Sequence, residues 1–515
     1  MNVKLLVVLL GVVLLGCCLQ QPPVETTTTS TFQSPGEPSS GRASFAGAMI
    51  AFKYLEDLTS EYNLTVDGYF NKMRDAGVTC LRFVDLPASE QGRLYAKKLG
   101  EMGFEMMPTL SISSTKFDEE IEDAAEKEKW GKVKTLIVEE YYEKELIPKV
   151  EMHKDYVKYW QVWNEENGGE KFGLNKVVYS LLLTGKAKTA SGEVIALTGT
   201  VKGYSIENGS YGLIKQICPD CKVVLGGLAG SASNPEYLQY LHDNDALNYA
   251  DVIDFHANFN PERDEREKVG GYFQYWNKLS SGVVNVNHYL CGGECSKPIW
   301  VTEIGSTSNF KYIEVDKKGS LTGYSMTASM DFQADDVVKR YISMLSLGIE
   351  KGFWNQFFDY PGEKHKKGEV LECPAQMEDG FYTSSDVGCK GLYKGLVWNN
   401  LEEKPSFKSY KLLTQKLAGV QEVERIATKS NTFLFKAVFS NGSVKFVAWC
   451  EPFFSEDFSQ KKYWNYEDKD CSEKIGLTPY GLSGNVTVSS RSGVSHMHAS
   501  SISLTKSPVY IEQSD

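Results

Sequence analysis

The stretch Tyr159–Gly169 reads YWQVWNEENGG, an aromatic, alternating run that ends in a cluster of Asn, Glu and Gly residues. Large side chains fall on both faces of the run, which is typical of a strand buried in a parallel sheet. A buried strand that stops at a carboxylate is how a barrel enzyme presents a catalytic group at its C-terminal face. Asn, Glu and Gly also end ordinary strands and begin turns, so this stretch alone leaves both interpretations open.

Apolar strands alternate with amphipathic helices over residues 44–420. Eight such strand and helix units predict a (β/α)8 TIM barrel of the α/β class. A doubly wound sheet is the alternative, although no Gly-rich phosphate-binding fingerprint follows the first strand. The predicted strands are Phe45–Phe52, Val78–Asp85, Phe104–Ser111, Val157–Trp163, Lys222–Leu228, Val252–Asn258, Pro298–Gly305 and Gly352–Phe358.

Residues 421–515 change from this alternation to short strands separated by turn signals. Two alternating strands flank Asn441-Gly442, a dipeptide typical of tight hairpins. The chain is therefore predicted to end in an all-β sandwich domain. We expect this domain to have a structural role on the flank of the barrel, with carbohydrate binding as the alternative.

The N-terminus has the pattern of an export signal, with Lys4 ahead of an apolar run that is too short to span a bilayer. The sequence Leu14-Leu15-Gly16-Cys17 resembles the lipobox of prokaryotic lipoproteins, which predicts a signal peptide over residues 1–17 and a lipid on Cys17. A plain signal peptide or an uncleaved anchor is the alternative. All of these interpretations place the rest of the chain outside the cell, and the predicted lipid anchor places it at the extracellular face of the cell membrane. Residues 18–43, rich in Thr, Pro and Ser, are predicted to be a disordered tether.

Composition argues against two classes of partner. A net charge of −12 and a pI near 5.3 would repel a phosphate backbone, so no nucleic-acid partner is expected. The seven His residues show no HExxH or similar spacing, so neither a catalytic metal nor another cofactor is predicted.

Cysteine usage indicates an oxidising compartment, because eight of the eleven Cys residues fall into close pairs. A zinc site built from the CPDC and CGGEC pairs is an alternative, as is a redox role for CPDC alone. The unpaired Cys80 lies in a predicted strand and is expected to be a buried thiol. The predicted disulfides are Cys218–Cys221, Cys291–Cys295, Cys373–Cys389 and Cys450–Cys471.

A second predicted strand also ends in an acid. The stretch Pro298–Ser306, PIWVTEIGS, presents Glu303 at the end of strand seven, whereas Glu165 follows strand four. The C-terminal ends of these strands face each other obliquely across the mouth of the predicted barrel. Two carboxyl groups on either side of one glycosidic bond can divide the roles of proton donor and nucleophile.

The motifs WNEEN and IWVTEIG resemble the two signatures of the clan A glycoside hydrolases, and within the clan they are loosely similar to the β-xylosidase and α-L-iduronidase family. The resemblance covers most of residues 44–420, and the ending SPVYI extends it to the sandwich. It implies a retaining barrel enzyme in which Glu165 is the general acid/base and Glu303 the nucleophile. It also implies that Asn164 hydrogen-bonds the 2-hydroxyl of the sugar.

Three further positions match sites that the clan uses. The resemblance implies that Arg82 in CLRFVD supports the nucleophile, that His256 in DFHANF lies in the active site, and that Trp354 in GFWNQFF stacks on a sugar. The alternatives are a buried ion-pair partner for Arg82, a core His for His256 and barrel packing for Trp354.

Two departures from the clan leave the particular family and the sugar open. Glu166 stands where the clan usually has Pro, and Asn258 with Phe259 stand where a Tyr commonly contacts the nucleophile. Neither departure removes a proton carrier. The sequence therefore predicts a cell-surface glycosidase that cleaves an extracellular, β-linked carbohydrate by double displacement. The alternatives are an inactive carbohydrate-binding lipoprotein, a solute-binding lipoprotein and a structural surface protein, of which the first would be expected to lose one of the two acids.

Overall fold

The computed structural model describes residues 44–514 apart from 52–54, 56–58, 61, 113–114, 168–173, 233, 259–270, 307, 309, 316–320, 360–370, 379–380, 385–394, 427, 429–430, 452–463 and 466–469. Eight parallel strands form a nearly closed barrel in the order β6-β7-β8-β1-β2-β3-β4-β5. Backbone bridges Val224–Val252 and Leu228–Phe255 bring the two ends of this sheet together. The strands β1 to β8 are Ala46–Ile50, Cys80–Phe83, Glu105–Leu110, Tyr159–Val162, Lys222–Val224, Ile253–Asn258, Ile299–Gly305 and Lys351–Trp354.

The structure confirms the predicted (β/α)8 barrel, with every predicted strand present and most of them shortened at their ends. The largest differences are β5, which ends at Val224 rather than Leu228, and β8, which ends at Trp354 rather than Phe358. Periodicity locates a strand but does not show where its ladder of hydrogen bonds stops.

Side chains that point into the barrel form two layers of different character, because successive residues of a strand face opposite sides. One layer is apolar and consists of Cys80, Met107, Val224, Val252, Trp300 and Phe353. The next layer toward the C-terminal ends of the strands is polar and buried, and consists of Arg82, Thr109, Gln161, Asp254 and Thr302. Buried polar groups require hydrogen-bond partners, so the side chains of the second layer are expected to form a hydrogen-bond network.

Helices follow the strands and cover the outside of the barrel. Their N-termini are capped by side chains that accept backbone N–H hydrogen bonds, as Thr65, Ser89, Asn175 and Ser329 do. Two π-helical stretches, Ile137–Leu146 and Val286–Leu290, and two 3-10 stretches, Ala246–Tyr249 and Thr478–Tyr480, are also present. The α-helices α1 to α12 are Val66–Asp75, Glu90–Glu101, Thr115–Glu126, Trp130–Leu136, Ile147–His153, Lys176–Thr184, Gly209–Ile217, Ala229–Ala232, Pro235–Asp243, Gly271–Asn285, Met330–Ser346 and Pro405–Lys416.

The long segments that follow β4, β7 and β8 contain strands of their own. The first holds two short hairpins, Lys186–Lys188 with Val194–Ala196 and Thr200–Val201 with Tyr204–Ser205. The segments after β7 and β8 build a five-stranded sheet together with a short strand of the C-terminal region. The order of its strands is Phe381–Ser384, Leu371–Glu378, Phe310–Val315, Leu321–Ala328 and Trp464–Asn465.

The C-terminal region is the predicted β-structure, a six-stranded antiparallel sheet with a separate pair of strands. The six strands occur in the order β9-β10-β11-β16-β13-β14, and β12 pairs with β15. A core of its own includes Leu434, Phe446 and Ile511, and Lys339 on α11 forms an ion pair with Glu451 at 3.0 Å. The strands β9 to β16 are Val420–Ile426, Thr432–Phe439, Val444–Cys450, Glu473–Ile475, Asn485–Ser490, Gly493–His498, Ile502–Leu504 and Val509–Gln513.

Three of the four predicted disulfides are present: Cys218–Cys221, Cys291–Cys295 and Cys450–Cys471. The pairing inside CPDC and inside CGGEC removes the thiolates that a shared zinc site would need. The fourth predicted pair includes Cys389, which lies outside the described residues. Cys80 is a buried free thiol as predicted, and burial raises its pKa to about 12.

Within the described part of the chain, none of the helices is both long and apolar enough to cross a membrane. The predicted signal peptide, the lipid on Cys17 and the tether over residues 18–43 lie outside the described residues.

Candidate active site

Glu303 enters the mouth of the barrel because β7 contains a bulge. Phe255 pairs with Val301, but the next residue of β6, His256, pairs with Glu303, so Thr302 is an extra residue in the ladder. On a regular strand Glu303 would face away from Thr302, whose hydroxyl lies inside the barrel. The bulge turns the Glu303 side chain inward as well, which is a common use of bulges beside active sites. Only 12% of this side chain is exposed.

Glu165 is placed by an irregular end of β4. Trp163 and Glu165 both adopt left-handed backbone conformations, with φ of 76° and 53°. For residues other than Gly, such conformations cost on the order of 1–3 kcal/mol each and concentrate at functional sites. The ring of Trp163 packs 5.7 Å from that of Tyr141 in the outer core, which anchors the turn that carries Glu165.

The two predicted catalytic acids lie close together with His256 between them. One carboxylate oxygen of Glu165, one of Glu303 and a ring nitrogen of His256 are all within 4.8 Å of one another. His256 Nδ1 lies 2.9 Å from Glu165 Oε1 and 3.7 Å from Glu303 Oε1. Retaining glycosidases separate their two carboxyl groups by about 5–5.5 Å and inverting ones by roughly 6.5–9.5 Å. An upper bound of 4.8 Å between one oxygen of each acid is closer to the spacing of retaining enzymes than to that of inverting ones.

Arg82 is fully buried and connects both sides of the mouth. One terminal nitrogen donates to Glu303 Oε1 at 2.7 Å, and the other donates to Asn164 Oδ1. The guanidinium therefore stabilises the negative charge of Glu303. Because Arg can only donate, Asn164 must present its oxygen to Arg82. The amide NH2 of Asn164 remains available as a donor to a substrate hydroxyl.

Asn355 is a second hydrogen-bond donor to Glu303. Its Nδ2 donates to Glu303 Oε2 at 2.7 Å, so Arg82 and Asn355 each hold one of the two carboxylate oxygens. Asn355 directly follows β8 and also begins a cis peptide bond to Gln356.

Trp354 is not part of this group. It is fully buried within the main hydrophobic core, whereas its neighbours Phe353 and Asn355 face the barrel interior. A strand with a period of two residues therefore places Trp354 on the outer face, against the helices. No face of the indole is exposed for a sugar, so the predicted stacking role stays a prediction that this placement does not support.

Below the acids, Gln161 links the polar side chains of the inner layer. Its Oε1 accepts from Arg82 Nε at 2.8 Å and from Thr109 Oγ1 at 2.7 Å. Its Nε2 donates to Asp254 Oδ2 at 2.6 Å and to Thr302 Oγ1 at 3.3 Å. Burial raises the pKa of Asp254 to about 6, against the opposing effects of nearby His256 and Arg82.

His256 fits at the mouth because Gly227 has no side chain. A Cβ on Gly227 would lie 2.1 Å from His256 Nε2, closer than any non-bonded contact allows. The glycine thus sets the position of the imidazole that bonds Glu165. The Nε2 atom is buried and has no hydrogen-bond partner among the residues that the structure describes.

Glu166, the residue found in place of the Pro of the clan, is completely buried on the outer side of β4 and β5. Its carboxylate oxygens contact no other described hydrogen-bonding group, and a Cβ on Gly226 would lie 2.9 Å from Glu166 Oε2. Burial, with a smaller effect of the charges of Asp254 and Glu165, raises the pKa of Glu166 well above its ordinary value. Burial therefore favours the neutral, protonated form of Glu166, and a side chain with no exposed surface does not compete with Glu165 for the catalytic role.

The donor atoms of Glu165, His256 and Glu303 could in principle surround a metal ion. The guanidinium of Arg82 already lies 2.7 Å from Glu303, and a metal cation would be repelled by this like charge. The residues present suit a pair of catalytic carboxyl groups better than a metal centre.

The structure brings together five of the six predicted site residues, namely Glu165, Glu303, Asn164, Arg82 and His256. Sequence analysis missed Gln161, Asp254 and Asn355. Gln161 and Asp254 are polar residues at inward positions of otherwise apolar strands, four residues before Glu165 and two residues before His256 respectively. By simple alternation, both residues fall on the same face as a predicted site residue, and this alternation is the signal that could have identified them.

Comparison with known proteins gives structural likeness only. No protein-family model matches the chain, and no curated protein matches it in sequence. A family 39 glycoside hydrolase from the gut symbiont Bacteroides cellulosilyticus WH2 superposes with a TM-score of 0.55 at 14% identity, over 93% of this chain and 83% of that one.

Two further solved structures align at lower similarity. The catalytic domain of a family 30 xylanase from Talaromyces cellulolyticus has a TM-score of 0.47 at 8% identity, over 92% of this chain and 98% of that one. A family 51 α-L-arabinofuranosidase from Bifidobacterium longum has a TM-score of 0.47 at 10% identity, over 94% of this chain and 98% of that one. These neighbours are clan A glycoside hydrolases, and the likeness to the family 39 enzyme confirms the predicted resemblance at the level of the fold.

Proposed function

We propose that the protein is a retaining glycoside hydrolase that uses Glu303 as nucleophile and Glu165 as general acid/base. The observation that carries this proposal is the position of the two carboxylates, within 4.8 Å of each other at the C-terminal ends of β7 and β4. The barrel places both acids at the end where enzymes of this fold hold their active sites. An inactive binding protein would have no need for this pair.

The first step forms a bond between a Glu303 oxygen and the anomeric carbon while the bond from that carbon to the leaving oxygen breaks. Glu165 transfers its proton to the leaving oxygen. Arg82 and Asn355 each bind one Glu303 oxygen, so they fix the direction from which the carboxylate attacks. Such positioning supplies a large part of the rate enhancement of an enzyme.

The second step releases the sugar from Glu303. Glu165, now a carboxylate, takes a proton from a water molecule whose oxygen attacks the anomeric carbon, and the bond to Glu303 breaks. His256 Nδ1, 2.9 Å from Glu165 Oε1, orients the carboxylate for both steps. Two displacements at one carbon return the original anomeric configuration.

Substrate binding and cellular location complete the proposal. The NH2 of Asn164 bonds none of the described residues, which supports a contact to the 2-hydroxyl of the sugar as the oxocarbenium-like state develops. The clan signatures favour a β-linked extracellular oligosaccharide or polysaccharide. The lipobox ending at Cys17 supports a lipid-anchored enzyme at the extracellular face of the cell membrane.

The test compares Glu165→Gln and Glu303→Gln on a panel of aryl β-glycosides. Loss of the nucleophile should abolish turnover of every glycoside. Loss of the acid should slow cleavage of glycosides with poor leaving groups by about 10²–10⁴-fold. Cleavage of dinitrophenyl glycosides should be slowed far less, because a dinitrophenolate leaving group needs little protonation.

The matched control is Glu294→Gln, which neutralises an exposed acid outside the site and should leave turnover unchanged. Equal activity of Glu303→Gln and the wild type would refute the proposal. Binding of glycans without hydrolysis by the wild type would favour the inactive carbohydrate-binding alternative.

A further inference from the structure

The two catalytic carboxylates are held by different residues, and one buried polar layer contacts the first of these residues directly and lies next to the second along β6. Arg82 binds Glu303, and His256 binds Glu165. Gln161 contacts Arg82 directly and also contacts Asp254, which lies two residues before His256 on the inner face of β6. None of these contacts requires a substrate.

We propose that Gln161 and Asp254 are positioning residues. They join the nucleophile side of the site to the acid/base side and hold the two carboxylates in a fixed position relative to each other. This proposal rests on the proposed function, because it concerns the same pair of acids.

The orientation of Gln161 is determined by its partners. Arg82 only donates hydrogen bonds, so the amide oxygen must face Arg82, and the amide nitrogen must then face Asp254. The four contacts to Arg82, Thr109, Asp254 and Thr302 use both acceptor sites and both donors of the amide. A buried amide whose donors and acceptor sites are all used has one arrangement in this layer.

On the nucleophile side, Gln161 holds the guanidinium by its Nε atom, 2.8 Å from Oε1. The two terminal nitrogens of the same group reach Glu303 and Asn164. Rotation of the guanidinium would therefore break the bond to Gln161 as well as those to the site. The amide thus fixes the plane in which Arg82 presents its donors.

On the acid/base side, Asp254 provides a negative charge beneath His256. Its Oδ2 accepts from Gln161, while its Oδ1 is buried without a hydrogen-bond partner among the described residues. The charged and titratable groups that act on it are Arg82 on β2, His256 on β6, Glu166 after β4 and Tyr179 on α6. With its pKa raised to about 6, Asp254 changes charge within the ordinary working range of an enzyme.

The first experiment needs no substrate. Carbon-13 NMR of labelled Asp side chains follows the titration of Asp254 in the wild type and in Gln161→Met, with Asp254→Asn used to assign the signal. Loss of the donor at 2.6 Å should raise the proton affinity of Asp254 by about tenfold, which is one pKa unit. An unchanged midpoint would overturn the link between Gln161 and Asp254.

The second experiment measures kcat and KM from pH 4 to 9 with an aryl β-glycoside that the wild type cleaves. Asp254→Asn and Gln161→Met should each lower kcat by about 10–100-fold with KM changed by less than about 3-fold, as expected for loss of positioning. Asp254→Asn should also lose an inflection near pH 6. The double variant should be no slower than the slower single variant, because both interrupt one connection.

Gln239→Met is the control, since it removes a Gln-to-Asp hydrogen bond of the same kind, from Gln239 Nε2 to Asp243 Oδ1 at 2.9 Å, on the exposed side of helix α9. Its kcat should stay within about 3-fold of the wild type. If Asp254→Asn does not fold, Thr302→Val removes another hydrogen-bond donor to Asp254. It should give a smaller loss of kcat and move the inflection near pH 6 to higher pH.

Losses of kcat that add in the double variant, or a pH profile unchanged in Asp254→Asn, would overturn the positioning role while leaving the proposed function intact. A wild type that cleaves no glycoside would refute the proposed function, and the positioning role with it.

Discussion

Arg82 donates to Glu303 at the end of β7 and to Asn164 after β4, so one buried cation connects the nucleophile to the segment that carries the acid/base. The guanidinium is fully shielded from water, where charge-assisted hydrogen bonds are strong and an unpaired charge is costly. The relative position of the two acids therefore depends on Arg82 as much as on the barrel itself.

We predict that Arg82→Lys lowers kcat/KM by at least about 100-fold, since the compact ammonium cannot reach Glu303, Asn164 and Gln161 together and misplacement by 1 Å can cost this much. Steady-state kinetics measure the effect, and thermal unfolding checks that the variant is folded. An active Arg82→Lys enzyme would show that a positive charge is sufficient for catalysis without the planar arrangement of donors in the guanidinium.

Gly227→Ala should displace His256. The added Cβ would lie 2.1 Å from Nε2, so the imidazole must leave its place 2.9 Å from Glu165. We expect kcat to fall by on the order of 10–100-fold.

Gly131→Ala is the matched control for this change. Gly131 lies in α4, and a Cβ there would meet nothing within 4 Å. Full activity is expected, with stability raised by about 0.4–1 kcal/mol because Ala has less freedom than Gly in the unfolded chain. Equal kinetics for the two Ala variants would mean that the position of His256 does not matter.

Glu166→Gln should stabilise the protein at alkaline but not at acidic pH. The folded state raises the pKa of Glu166 well above its unfolded value, so this group binds its proton more tightly when folded. Its destabilising effect is absent below the unfolded pKa near 4.5 and grows as pH rises toward the folded pKa. Urea unfolding at pH 4 and pH 8 measures it. A variant with the same stability difference at both pH values would contradict the assignment of Glu166 as a buried neutral acid.

Asp359→Asn should destabilise the segment that leaves β8. Asp359 Oδ1 accepts from Gly395 N at 2.9 Å and from buried Lys404 Nζ at 2.6 Å, so the variant removes the negative charge that Asp359 places beside a buried ammonium. We expect a loss of about 3–5 kcal/mol. Glu403→Gln breaks the more exposed pair with Lys72 and should cost at most about 1 kcal/mol. Similar losses in the two variants, measured by urea unfolding, would contradict this difference in burial.

The sequence predicts those features that depend on local pattern. Strand and helix periods give the barrel, the Asn441-Gly442 pair gives the hairpin, and the two strand ends give Glu165 and Glu303. Features that depend on three-dimensional irregularity were not predictable. The bulge at Thr302 and the left-handed Glu165 decide which way the acids point, and neither has a signature in residue order.

The site residues show the same division. Trp354 was predicted as a site residue from its motif. Because side chains alternate between the two faces of β8, Trp354 points outward and Asn355 contacts Glu303 instead. Counting positions along β8 from Phe353 would have favoured Asn355, provided that the inner face of the strand was known. Gln161 and Asp254 contact residues 79 and 93 positions away in sequence respectively, and only the closed barrel brings them together.

The central claim is that Glu303 attacks the sugar and Glu165 serves both steps. The most direct measurement is proton NMR of the first sugar released from an aryl β-glycoside, recorded before mutarotation, with Glu303→Gln run beside the wild type. The account predicts the β anomer from the wild type and no product from the variant. An α anomer first, or equal release by both proteins, would contradict it.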